Sequence, residues 1–277
     1  MGTLLARLDG VTVRRGSRTV LHDLTLELPQ GAVTAIVGPS GAGKSTLLAV
    51  LAGQLLPEQG RVTMRPDIRV GLVTQDPQLF PWLTVAENVS LGLRYAANAP
   101  AAARSGWGGL GADGLIDRLG LSALADAYPD QISGGQAQRA GLARTLAVDP
   151  DLVLLDEPFS ALDPATREDL QRWYVHHAGT AGRTTVVVTH DVDEALVLAD
   201  QVILVDATGR IARRWDSTPA DTYAAARHHP LREAIRAAFD WADDEAHPQL
   251  TEDAAETGHA DVSDLLSVGA RGGDHDG

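Results

Sequence analysis

Apolar and polar positions along this chain fall into two rhythms. Short continuous apolar runs, rich in Val, Ile and Leu, are each followed by a segment whose apolar residues recur at helical spacing. "AVTAIVG" leads to a helix from about Lys44, "DLVLLDEP" to "TREDLQRWYVHHA", and "TTVVVTH" to "DEALVLAD", after which "QVILVD" closes the series. Strands apolar on both faces and separated by helices predict a parallel α/β core. The first thirty or so residues differ. "LLARLDGVTV" and "LHDLTLELPQG" alternate apolar with polar, the pattern of an antiparallel edge. After Pro230, "LREAIRAAFDWA" sets Leu231, Ile235, Ala238 and Phe239 on one helical face. Two stretches carry neither rhythm. Residues 96–114, "AANAPAAARSGWGGLGADG", are rich in Ala and Gly and read as a loose or partly helical insert. Residues 241–277 are acidic, have little to bury and read as a disordered tail, with "VSDLLSV" inside it as a short candidate docking motif.

Composition narrows the class. A chain of 277 residues, 44% of them hydrophobic, can bury one large core or two modest ones. There is no run of 18 apolar residues, so nothing here spans a bilayer as a helix. "MGTLLARLDG" holds an acidic residue by Asp9 and no long apolar region, so no signal peptide is expected and the compartment expected is the cytoplasm. The absence of cysteine excludes disulfides and thiolate chemistry. The net charge is −14, but from Asp240 onward eleven acidic residues face one basic residue, Arg271. The tail therefore carries −10 and the preceding 239 residues about −4. No basic stripe of the kind that tracks a nucleic-acid backbone is present, which argues against such a partner.

Three strand ends carry chemistry. "GPSGAGKST" follows the strand "VTAIV" and opens a helix, the context that a phosphate-binding loop requires. Its glycines let backbone N–H groups close on a phosphate, Lys44 reaches the β- and γ-phosphates, and the Ser45 hydroxyl suits Mg²⁺. "LVLLDEP" ends in Asp156 and Glu157, the first suited to the metal shell and the second to a water-activating base. His190 ends "TTVVVTH", where it is either a polar terminus or a γ-phosphate contact. A fourth feature, "QISGGQAQR" at 131–139, is a second glycine-rich helix start fit for an anion, about ninety residues beyond the first.

In order and spacing, "GPSGAGKST", "ISGGQ", "LLDEP", "SALD" and "VTHD" resemble the ATP-binding subunits of ABC transporters, from about residue 4 to residue 240. The resemblance implies a P-loop NTPase fold of the ABC ATPase type: a parallel-sheet core, an antiparallel β edge and a helical subdomain at about 85–141, all within residues 1–240. It implies ATP and Mg²⁺ as ligands and ATP hydrolysis as the activity. The phosphate loop falls on Gly38, Pro39, Ser40, Gly41, Ala42, Gly43, Lys44, Ser45 and Thr46. Gln75 takes the Gln-loop position and, with Ser45 and Asp156, the metal's surroundings. Ser133, Gly134, Gly135 and Gln136 form the signature, Ser160, Ala161, Leu162 and Asp163 the D-loop, and His190 the switch histidine. In that family two subunits pair head to tail, and the signature of one covers the γ-phosphate held by the other. This gives "QISGGQAQR" its phosphate: one bound on a neighbouring copy or a second ATPase subunit. Symmetry agrees, since an isologous two-fold pair supplies two such sites.

Two positions depart from the family pattern. Ile132 stands where Leu is usual, a volume-conserving change. Arg15 stands where an aromatic commonly stacks on adenine; its guanidinium can stack on a base, or is simply solvated. Beyond Gln75, "LFPWLTVAENV" sets Leu79, Phe80, Pro81 and Trp82 in a loop-like run, which is either its own small core or an exposed seat for a helix of a membrane partner. With "HDVDEALVLADQVILV", this segment looks most like the ATPases of bacterial importers for nitrate, sulfonates, taurine and thiamine precursors. That implies a peripheral protein on the cytoplasmic face of the cell membrane, working with integral-membrane permease subunits and, indirectly, an extracytoplasmic solute-binding protein. The alternative is a soluble, non-transport ATPase of the same type. The pairs His176/His177 and His228/His229 read as surface residues, because adjacent positions on a helix do not share a face.

Overall fold

The computed structural model describes residues 3–95 and 107–243. The proposed tail beyond 243 and most of the Ala/Gly-rich insert lie outside them. Strands β1 (Leu4–Arg15) and β2 (Arg18–Pro29) form a hairpin, followed by β3 (Val33–Val37) and helix α1 (Lys44–Leu51). Then come β4 (Gln59–Met64), β5 (Val70–Val73), α2 (Val85–Ser90), α3 (Ala112–Arg118) and α4 (Gly134–Ala147). The chain continues through β6 (Leu152–Asp156), α5 (Pro164–Thr180), β7 (Thr184–Val188), α6 (Val192–Leu198), β8 (Gln201–Val205) and β9 (Ile211–Asp216). It ends in α7 (Tyr223–Ala226) and α8 (Arg232–Asp243).

One sheet has the order β5-β6-β7-β3-β8-β9, parallel except for β9, and a second has the antiparallel order β2-β1-β4. The apolar strands of the large sheet are buried on both faces because side chains alternate along each strand. Ala35, Val37, Val153, Leu155, Val187, Val202 and Leu204 enter one core with helices α3 to α6 and α8. Ile36, Leu152, Leu154, Val186, Val188, Ile203 and Val205 enter the other, with α1 and the inner face of the small sheet. The six-stranded sheet is thus the middle layer, with the antiparallel sheet and α1 on one side and the remaining helices on the other.

Helix starts are set by local chemistry. Asp163 caps α5 by accepting from the Thr166 N–H at 3.1 Å, and Pro164 supplies a first residue that needs no donor. Asp191 caps α6 by accepting from the N–H groups of Asp193 at 2.8 Å and Glu194 at 3.2 Å. The described end of the insert is not loose. Trp107 is fully buried and stacks on Tyr174 with ring centroids 4.9 Å apart, so one aromatic ties this segment to α5.

Candidate functional site

Because β3, β5, β6 and β7 are parallel, their C-terminal ends share one edge of the sheet, the place where open α/β sheets bind ligands. The loop 38–43 leaves β3 there and wraps into α1. Two of its glycines are obligatory. At Gly38, with φ +154°, a Cβ would lie 2.1 Å from the Val205 carbonyl oxygen, and at Gly43, with φ +89°, 2.6 Å from that of Val20. Pro39 and Ala42 are buried, whereas Ser40 and Gly41 are exposed at the loop tip. Lys44 is buried, and its Nζ donates to the carbonyls of Gly38 at 2.8 Å and Pro39 at 2.7 Å. Burial lowers the Lys44 ammonium from its ordinary range, and the nearby charges of Glu157 and Asp156 raise it part of the way back.

Asp156 closes β6 and is buried. Burial pushes its carboxyl up; the Ser45 hydroxyl, bonded to it, pulls it down, the Glu157 charge raises it further and Lys44 offsets that. Ser45 itself is exposed and Thr46 is buried in the first turn of α1. Glu157 follows in a left-handed conformation, φ +48°, unusual for a glutamate. Its Oε1 sits at hydrogen-bond distance, 3.1 Å, from Nδ1 of His190, which lies two residues beyond the neighbouring strand β7. The Glu157 side chain is 21% exposed and that of His190 65%, so the pair opens outward from the edge. Gln75 is exposed two residues beyond β5, on the same edge.

The second glycine-rich turn is built as a helix cap. The Ser133 hydroxyl accepts from the Gln136 N–H at 3.3 Å, and the Gln136 side chain accepts from the Ser133 N–H at 2.7 Å, a capping box. Ser133 and Gly134 are exposed, and Ile132 is partly buried against the core. Gly135 packs on the D-loop, since a Cβ there would stand 2.7 Å from the Ala161 carbonyl oxygen. Within that loop Ser160, Ala161 and Asp163 are exposed and Leu162 is buried. Arg15 lies exposed at the β1–β2 hairpin tip, in the small sheet rather than on the strand-end edge, although Val20 beyond the tip touches the phosphate loop. Phe80 and Trp82 are exposed, 38% and 68%, and pack on one another at 5.3 Å. Leu79 packs against the core instead. His176 and His228 are exposed, and His177 packs on Trp173.

Several residues that hold this site in place were silent in the sequence. Gln138 and Arg167 brace the D-loop, Arg167 by donating to the carbonyls of Phe159 at 3.2 Å and Leu162 at 3.0 Å. Arg144 donates to the carbonyls of Pro77 at 2.7 Å and Gln78 at 2.9 Å, and Asn88 ties down Phe80. Gln138 was within view, five residues past Ser133, but nothing in a periodicity distinguishes a core glutamine from a surface one.

A family model described as "ABC transporter" matches residues 21–160. The taurine import ATP-binding protein TauB of Pseudomonas aeruginosa is 43% identical over 224 residues, covering 76% of this chain and 82% of that one. An aliphatic sulfonates import ATP-binding protein, SsuB 1 of Paracoccus denitrificans, is 44% identical over 202 residues, covering 70% and 78%. Among solved structures, the ATP-binding cassette MJ0796, a dimer in a post-hydrolysis state bound to ADP and Pi, superposes with a TM-score of 0.65. It is 29% identical, and the match covers 77% of this chain and 99% of that one.

Proposed function

This chain belongs to the ABC transporter family as an ATP-binding ATPase, and from that premise we propose that it energises import of a small sulfonate such as taurine through a separate membrane permease. The observation that carries the catalytic half is the gathering of Lys44, Ser45, Asp156, Glu157 and His190 on one strand-end edge.

In this reading the backbone N–H groups of 38–46 and the Lys44 ammonium receive the ATP phosphates, exchanging the two loop carbonyls that Lys44 now holds for phosphate oxygens. Glu157 takes a proton from water as its oxygen attacks the γ-phosphorus, while the bond to the ADP oxygen breaks and its electrons leave with ADP. His190, beside Glu157, contacts the γ-phosphate. A positioned base of this kind contributes a factor of about 10² to 10⁴. The Ser45 hydroxyl and the Asp156 carboxylate, bonded to each other, are hard oxygen donors that fit Mg²⁺, with Gln75 at the rim. Among the described residues no three His, Cys, Asp or Glu gather as a metal cage. Held by Ser45 and Asp156, the ion would supply charge neutralisation for the phosphates. Ser133, Gly134, Gly135 and Gln136 act on ATP held by a second copy, with Ser160, Ala161, Leu162 and Asp163 at the same interface. Residues 1–240 would be the ATPase unit, with 85–141 as its helical part. Arg15, at the hairpin tip, is the adenine-stacking candidate.

No helix among the described residues is long and apolar enough to cross a membrane. Phe80 and Trp82 are the proposed seat for a cytoplasmic helix of the permease, which would hold the protein at the membrane's inner face, with a solute-binding protein acting from the other side. The test is capture of tagged Glu157→Gln protein from detergent-solubilised native membranes. A polytopic membrane protein in stoichiometric amount, lost on Trp82→Glu, is the expected result. Only soluble partners would overturn the transport reading.

A further inference from the structure

The backbone of Glu157 is held by a residue from another element. Its left-handed φ of +48° is disfavoured for a side chain with a Cβ and persists only where its surroundings fix it. Its N–H donates to the Val188 carbonyl at 3.0 Å, tying it to β7. Its carbonyl is met at 2.7 Å by the amide nitrogen of Gln138, which is only 3% exposed and projects from α4, the helix that the signature opens. The same nitrogen reaches the Ser160 hydroxyl at 3.3 Å, and that hydroxyl itself donates to the Glu157 carbonyl at 3.0 Å. The Gln138 oxygen accepts from the Ala161 N–H at 3.1 Å. Every polar atom of this buried amide is therefore engaged, and each partner lies in the Glu157 turn or the D-loop just after it.

We propose that Gln138 is a positioning residue for ATP hydrolysis: its amide fixes the Glu157 turn and the D-loop to the signature helix, and so sets where the Glu157 carboxylate points. The inference rests on the reading of Glu157 as the base. An amide suits the position, because it donates to one carbonyl and accepts from one N–H at once. Without the donor, the strained turn loses its tie to the signature helix and can relax toward negative φ, swinging the carboxylate away from His190. The helix and the loop also pack directly on one another, as the close approach of Gly135 to Ala161 attests. The amide is thus free to serve alignment rather than docking.

The experiment is a double-mutant cycle on the full chain, reading single-turnover ATP hydrolysis, ATP affinity and thermal unfolding. Gln138→Met, similar in length and apolar, and Gln138→Glu, which keeps the acceptor for Ala161 but loses the donor, are each made alone and with Glu157→Gln. Each Gln138 variant alone should slow hydrolysis about tenfold or more, with ATP affinity held within about twofold, a split that a merely structural role would not give. In the Glu157→Gln background neither should slow the residual rate further, because the group being aimed is gone. A wild-type rate in the folded Gln138→Glu protein overturns the proposal, and so does an equal further loss in the Glu157→Gln background. A wild-type rate in Glu157→Gln alone overturns the assignment of the base and this inference with it. If Gln138→Met does not fold, the near-isosteric Gln138→Glu decides.

Discussion

Lys44 sits buried with its ammonium on two carbonyls of its own loop, so in the proposed phosphate-binding role the lysine is the group that must exchange partners. Lys44→Ala should weaken ATP binding by a hundredfold or more, roughly the loss of one charge-assisted contact in a buried site. Titration with a fluorescent ATP analogue checks it, and affinity equal to wild type would contradict the phosphate-loop role. A second residue has a pH signature. Burial lifts the Glu194 carboxyl from 4.5 to about 7, against hydrogen bonds from Thr189 and Gln171 and the Arg167 charge, with Asp191 adding to the rise. Between those values the folded chain keeps a proton that the unfolded chain has released, so stability falls as pH rises through the window. Glu194→Gln still offers an oxygen to Gln171. It should remove that fall and gain on the order of 3 kcal/mol at pH 8 with little change at pH 5. Urea unfolding at both pH values measures this, and a mutant as pH-sensitive as wild type refutes it. Neither the Glu194 environment nor the Gln138 amide could be read from the chain. A motif fixes residues whose spacing along the chain carries the chemistry, whereas these two act through contacts between distant segments.

Elements were legible where burial imposed a pattern and obscure where it did not. The parallel strands are buried on both faces and stand out as apolar runs. By contrast β4, "QGRVTM", is largely exposed, and β9, "IARRWD", is an edge strand carrying two arginines. β5 is four residues with a glycine, required because a Cβ at Gly71 would press on Thr145 of α4 at 2.7 Å. The segment between β5 and α2 owes its shape to one buried side chain. Asn88 accepts from the Phe80 N–H at 2.8 Å and donates to the carbonyls of Phe80 at 3.2 Å, Leu83 at 3.0 Å and Thr84 at 3.0 Å. Asn88→Ala leaves the Phe80 N–H and the Leu83 carbonyl without this partner, while the carbonyls of Phe80 and Thr84 keep the N–H groups of Leu83 and residue 88, at a cost of about 2 kcal/mol. Amide hydrogen exchange at 79–83 should speed at least tenfold while β3 and β7 stay protected. Unchanged exchange at 79–83 would mean that Arg144 alone, through Pro77 and Gln78, is enough to hold the segment.

At the scale of the molecule, the two glycine-rich helix starts cannot be treated as one site. The phosphate loop opens α1, which packs on β2, β6 and β7 in the core shared with the small sheet. The signature opens α4, which packs on α2, α3 and β5 in the core on the opposite face of the large sheet. Ser133 and Gly134 are left exposed, and Ser133 is held by its own helix cap. The proposed head-to-tail pair would make this arrangement productive, because each signature would then close the other chain's phosphate loop, and it leads to a complementation test. Lys44→Ala disables a phosphate loop and Ser133→Arg a signature, so each variant alone should be inactive in every site of its homodimer. In a mixed dimer both lesions fall in one composite site and leave the other intact. Mixing equal amounts should therefore restore hydrolysis to at most about a quarter of the wild-type rate, since half the dimers are mixed and each has one good site. If the catalytic site were complete within one chain, mixing would restore nothing, because neither variant contains both intact parts.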